Sequence, residues 1–86
     1  QKFVIVEYPR KDSFVFGFQT KECILKENGI EKKLIAVYIP TNNLYLGEVV
    51  FFEPESVIHT DIPIQEGIKI ILSGGIAAPQ IIRGDK

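Results

Sequence analysis

The chain has no methionine and no tryptophan, and only one cysteine and one histidine among its 86 residues. A lone cysteine, Cys23, excludes an internal disulfide, and its apolar neighbours suit a small buried hydrophobe better than a reactive thiol. A lone histidine, His59, would need Asp and Glu side chains recruited from afar to hold a metal, so no metal site and no cofactor are expected. No long apolar run is present. The longest, Leu34 to Ile39, falls far short of the roughly 18 to 20 residues that span a bilayer. No secretory signal pattern is present either. Neither charge sign is in excess: 10 basic and 11 acidic residues leave a net charge of -1. The overall field therefore attracts neither a polyanion nor an anionic lipid surface, and no nucleic-acid partner is expected. A chain without methionine that starts on Gln1 is expected to be a piece of something longer, with sequence upstream.

What is there reads mainly as strands. The length suits one globular domain, expected over residues 1–82 with a frayed tail at 83–86, able to withdraw about 60 to 65% of its unfolded surface from water. Lys2 to Tyr8 alternates and stops at Pro9. Ser13 to Thr20 places Phe14, Phe16 and Phe18 on one face at period two. Glu22 to Glu27 leads into Asn28-Gly29, a strong type I′ hairpin signal, and Ile30 to Ile39 returns. The second half of that return is apolar on both faces, which suggests a central strand. After a loop from Pro40 to Leu46 come strands at Gly47 to Phe52 and Ser56 to Asp61, with Ile81-Ile82 as a further strand or a surface-docked pair.

One segment is helical, near residues 63–73. Ile64, Ile68, Ile71 and Leu72 form a stripe at i, i+4, i+7 and i+8, and Pro63 suits the first turn. Gly67 inside that helix costs about 1 kcal/mol against alanine. Its presence predicts a close approach of helix to sheet, which Gly67→Leu should destabilise. Gly74 or Gly75 closes the helix in a left-handed conformation. The expected fold class is α+β, predominantly β: five to seven mostly antiparallel strands curled into a small barrel or sandwich, with this one amphipathic helix.

Chemistry-bearing patterns are weak. Gly74 and Gly75 follow a helix, at its negative end, whereas phosphate loops precede one. Ser73 lacks the preceding glycine of a nucleophile elbow. Arg83-Gly84-Asp85 spells an adhesion tripeptide that recurs by chance. The three phenylalanines beside Lys2, Arg10, Lys11 and Lys21 could stack single-stranded nucleic acid, but a small domain needs them for its core, where each contributes about 1.5 to 3 kcal/mol.

Four segments occur together in order: Val6-Glu7-Tyr8-Pro9-Arg10-Lys11; Gly17-Phe18-Gln19-Thr20; Ile39-Pro40-Thr41-Asn42 leading to Gly47; and Asp61 through Ile70-Ile71-Leu72-Ser73-Gly74-Gly75. Over residues 4 to 79 the chain resembles the membrane-protein family known as domain of unknown function 502, whose plant members are the continuous vascular ring proteins. The positions carrying the likeness are Pro9, Arg10, Pro40, Thr41, Gly47, Ser73, Gly74 and Gly75. The resemblance implies two transmembrane helices upstream and an aqueous domain of this size, facing the cytoplasm if the positive-inside bias holds. It implies no enzymatic reaction.

The chain departs from the family at Asn42-Asn43-Leu44-Tyr45-Leu46-Gly47, where a proline-rich Thr-Pro-Asn-Pro-Thr-Ser-Gly pattern is usual. It also lacks the basic residue expected after Pro54. The function expected is a non-catalytic interaction or assembly domain of an integral membrane protein, self-associating or binding a protein partner. Leu44, Tyr45 and Leu46 are candidate contacts, although a loop packing back on its own sheet is an equal reading. The alternative is a small-ligand or single-stranded nucleic-acid module on a barrel-like sheet.

Overall fold

Alternating apolar residues broken by tight turns produce a run of antiparallel strands in the computed structural model, which describes residues 1–41 and 43–86. In chain order these are β1 (Lys2–Glu7), β2 (Phe14–Glu27), β3 (Ile30–Pro40) and β4 (Gly47–Phe52). A 3₁₀ turn (Pro54–Ser56), β5 (Ile58–Thr60), helix α1 (Ile64–Leu72) and β6 (Gly84–Asp85) follow. The six strands form one sheet in the order β4-β3-β2-β1-β5-β6, every pairing antiparallel. The architecture is the α+β, predominantly β class read from the sequence, with a single helix.

The Asn28-Gly29 turn is formed as its residue types demand, with φ of 53° and 79°. One strand, β2, replaces the two expected on either side of Lys21. Its register slips between Gln19 and Lys21, so a bulge shifts the period-two pattern there. Phe14, Phe16 and Phe18 face one side before the slip, and Lys21, Cys23 and Leu25 face the same side after it. That change of phase is what reads as a break in the sequence. At about 3.3 Å per residue, the 14 residues of β2 match the 45 Å long axis of the molecule.

The sheet is strongly coiled. Three strand spacings of about 4.8 Å would hold β1 and β4 some 14 Å apart in a flat sheet. Yet the ring of Tyr8, one residue past β1, lies 6.3 Å from the ring of Phe52 on β4, and the Tyr8 hydroxyl donates to the Glu48 carboxylate. The curl encloses a core of Val4, Val6, Ile35, Val37, Ile39 and Val57. Val57 lies where the chain crosses from β4 to β5, and the 3₁₀ turn before it packs on β3. The outermost strands β4 and β6 do not pair with each other, so the sheet is open and sandwich-like, not a closed barrel.

The opposite face carries a second core, Phe3, Phe18 and Ile70, covered by α1. Gly67 and Ile70 are the buried residues of the helix, while Leu72 is exposed. The stripe read from the sequence is thus centred too far round. Because Gly67 lets the helix sit directly on the Phe3 ring, the adjacent Ile70 becomes the buried centre, and Ile64, Ile68 and Ile71 pack at its margin. Pro63 caps the helix instead of opening its first turn.

Cys23 is half-buried, not fully so, since β1 pairs with β2 only as far as Gln19 and leaves the outer part of the β2–β3 arm without a neighbour on that side. The expectation of a frayed tail is corrected at residues 84–85. Asp85 pairs opposite His59 and Gly84 opposite Thr60, and the Asp61 N–H donates to the Arg83 carbonyl at 3.2 Å. Ile81 and Ile82 form no strand and stay exposed. The backbone of β5 offers an unsatisfied edge, so pairing goes to whichever tail residues reach it.

Candidate functional site

The residues that carry the family likeness come from distant parts of the chain, and the fold gives most of them turn-making tasks. Pro9 and Arg10 lie in the β1–β2 turn, where the Tyr8 N–H donates to the Ser13 carbonyl at 2.7 Å and the Ser13 N–H to the Arg10 carbonyl at 3.2 Å. Gly47 opens β4 against Pro40, and a β-carbon there would stand 2.8 Å from the Pro40 Cα. A larger residue would push the two strands apart.

Ser73 ends α1. Its hydroxyl donates to the Ile70 carbonyl at 3.0 Å and accepts from the Ala77 N–H at 2.9 Å. Gly74 and Gly75, with φ of 69° and 97°, turn the chain so that their N–H groups reach the Ile71 and Ile70 carbonyls. These bonds satisfy carbonyls that the helix end leaves unpaired. Ser-Gly-Gly is therefore a helix terminator, with Gly74 and Gly75 both in the left-handed conformation expected to close the helix.

Four of these residues also meet in space. A groove of about 350 Å³ between the end of α1 and the β2–β3 sheet is lined by Pro40, Thr41, Gly74 and Gly75 together with Phe14 and Ile71, and none of its lining residues is charged. Phe14 is 56% exposed at its rim. Of the three phenylalanines considered as a stacking platform, Phe16 stacks on Phe3 at 4.7 Å and Phe18 meets Phe3 edge-on at 5.3 Å. Only Phe14 is left facing outward.

The loop that follows Thr41 is built around Asn43. Its Oδ1 accepts the N–H groups of Tyr45 and Leu46 at 2.8 and 3.0 Å. The Leu46 carbonyl accepts both the N–H and the hydroxyl of Thr41, at 2.9 and 3.1 Å. The Tyr38 hydroxyl donates to the Leu44 carbonyl at 3.3 Å. Asn42 lies outside the described residues.

This bracing divides the three candidate contact residues. Leu44 packs into the core beneath the helix, beside Phe18, Tyr38, Ile64 and Ile68, so it is not an outward contact. Tyr45 and Leu46 point outward at 92% and 66% exposure. A single alternating loop cannot show from sequence which of three consecutive apolar residues turns inward; the Tyr38 hydroxyl and the open space beside Ile64 decide it.

Ionisable groups are dispersed. Among the described residues no three of His, Cys, Asp and Glu gather as a metal-binding set. His59 is half-buried on β5, and Lys32 and Lys33 pair with Glu53 and Glu22, each at 3.1 Å.

Comparison with known proteins gives concordant results. Residues 1–47 match the family described as "Protein of unknown function (DUF502)". Three proteins of Arabidopsis thaliana are similar over 95% of this chain: LIKE COV 1 and CONTINUOUS VASCULAR RING 1, each 37% identical, and LIKE COV 2, 39% identical. The chain spans about a third of the length of these curated relatives, 31 to 32%. No solved structure matches. With more than half of its length matched by the family and relatives 37 to 39% identical over 95% of it, the chain belongs to the DUF502 family.

Proposed function

We propose that this chain is a non-catalytic interaction or assembly domain. The observation that carries the reading is the uncharged surface formed by the groove and the braced loop, joined through Thr41, with Phe14, Tyr45 and Leu46 exposed along it. Interface centres are depleted of charge and enriched in aromatic side chains. Holding the backbone of Tyr45 and Leu46 by four hydrogen bonds, to the Asn43 side chain and to Thr41, lowers the ordering cost of a contact.

The proposal extends to context. The family resemblance supports a full-length protein embedded in a membrane, and the positive-inside bias is the ground for putting this domain on the cytoplasmic side. No helix among the described residues is long and apolar enough to cross a bilayer.

The test is chemical cross-linking of the full-length protein in isolated membranes, comparing the native chain with a Tyr45→Ser, Leu46→Ser pair. Loss of cross-linked species without loss of folded protein supports the reading. An unchanged pattern, repeated with Phe14→Ser, refutes this surface as the contact.

A further inference from the structure

The two edges of the sheet are not alike. β6 is two residues long, carries Asp85 and is flanked by Arg83 and Lys86, which are the ordinary protections of an edge strand, shortness and charge. β4 closes the other side with six residues, Gly-Glu-Val-Val-Phe-Phe. It contains no lysine, no proline and no bulge; the bulge lies on β2, and Pro54 comes only after the strand. Val49 and Phe51 on it are 56% and 52% exposed. Among the described residues no strand pairs with β4 on its outer side, so alternate N–H and C=O groups there face outward unpaired.

We infer that this edge pairs antiparallel with β4 of a second copy of the chain, joining two six-stranded sheets into one. The inference rests on the assembly reading above and names the partner and the contact.

The strand is complementary to itself. A two-fold axis perpendicular to the sheet sets residues of like parity opposite one another, so the sum of paired numbers is even. The register centred on Val50 keeps most of the strand paired. It sets Val49 against the partner's Phe51 and Phe51 against the partner's Val49 on the helix-side face, two aromatic with β-branched pairs of the kind that stabilise sheets.

Charge fits as well. The strand is neutral from Val49 to Phe52; its one charge, Glu48, lies near its start, and Glu53 follows its other end. In this register Glu48 meets the partner's Phe52 and Glu53 meets the partner's Gly47, so no carboxylate opposes another. A net charge of -1 adds little long-range repulsion between copies.

The contact is small. A few paired residues bury less than the roughly 1,200 Å² at which stable complexes begin, so the dimer is weak, with a dissociation constant on the order of 100 µM. Tethering two copies to one membrane would raise their effective concentration into that range.

Sedimentation equilibrium of this chain from about 10 µM to about 1 mM, with amide hydrogen exchange at both ends of the range, tests the inference. The expected result is a monomer–dimer equilibrium with slowed exchange in residues 48–52 at high concentration. Val49→Lys or Phe51→Lys should weaken it at least about tenfold, since each dimer carries the substitution twice, while Val49→Thr should retain it. A monomer throughout, or a dimer indifferent to both lysine variants, overturns the inference. A dimer lost instead through Tyr45→Ser and Leu46→Ser overturns the β4 contact but leaves the assembly reading standing.

Discussion

Replacing Gly67 by alanine sets two effects of opposite sign against each other. In an exposed helix interior the change stabilises by about 1 kcal/mol, because alanine has less backbone entropy to lose. Here a β-carbon would stand 2.5 Å from the Phe3 Cδ1 and 2.7 Å from Cε1 and Cγ, whereas carbon atoms in contact rest at about 3.5 to 4.0 Å. Ring or helix must move by about 1 Å. The ring has little freedom to do so, being 2% exposed, stacked on Phe16 and edge-on to Phe18. Overpacking of this kind costs about 1 to 3 kcal/mol, and lifting the helix would also uncover Ile70.

Overpacking less the propensity gain leaves about 0 to 2 kcal/mol, and uncovering Ile70 adds to it, so the net expectation for Gly67→Ala is a loss of about 1 to 2 kcal/mol, or roughly 4 to 15 °C in Tm for a domain of this size. Thermal and urea unfolding by circular dichroism at one fixed protein concentration measure it. A double-mutant cycle with Phe3→Leu locates the cause. With the ring removed, the alanine should become neutral or stabilising. A Gly67→Ala protein that melts at or above the native one, or a cost that is the same with and without the Phe3→Leu substitution, would refute the claim that this contact holds helix to sheet.

Two further outcomes follow from the loop and the helix end. Leu44→Ala should cost about 1 to 2 kcal/mol, since its side chain is half-buried against the helix core, while Tyr45→Ser should stay within about 0.5 kcal/mol; urea midpoints of the pair decide whether the loop turns as described. Ser73→Ala should destabilise by about 1 kcal/mol through loss of the bonds to Ile70 and Ala77, with faster amide exchange at Ala77 as its local signature, and an Ala77 amide unaffected by the change would count against the terminator role.

Local signals carried far in this chain. The left-handed pair Asn28-Gly29, the period-two alternation and the lone helix ended by two glycines were legible because each depends on residues adjacent in sequence. The need for closeness at Gly67 was legible too, since a glycine inside a helix has a cost that packing must offset. The bulge at Gln19–Lys21 was not, because a slip in register is visible only against the partner strand.

By itself the order of residues determined most of the strands, the helix and the membership of a family, all of which rest on short-range stereochemistry or on motif order. Only the tertiary structure decided the remainder. It curled the sheet until Tyr8 met Phe52, placed β5 beside β1 and chose Ile70 over Leu72 for the core. It also turned Leu44 inward with Tyr45 outward, gathered Pro40, Thr41, Gly74 and Gly75 along one groove, and left β4 as an open edge. Each of those outcomes is set by which distant surfaces exclude water from one another, and that competition is settled over the whole chain at once.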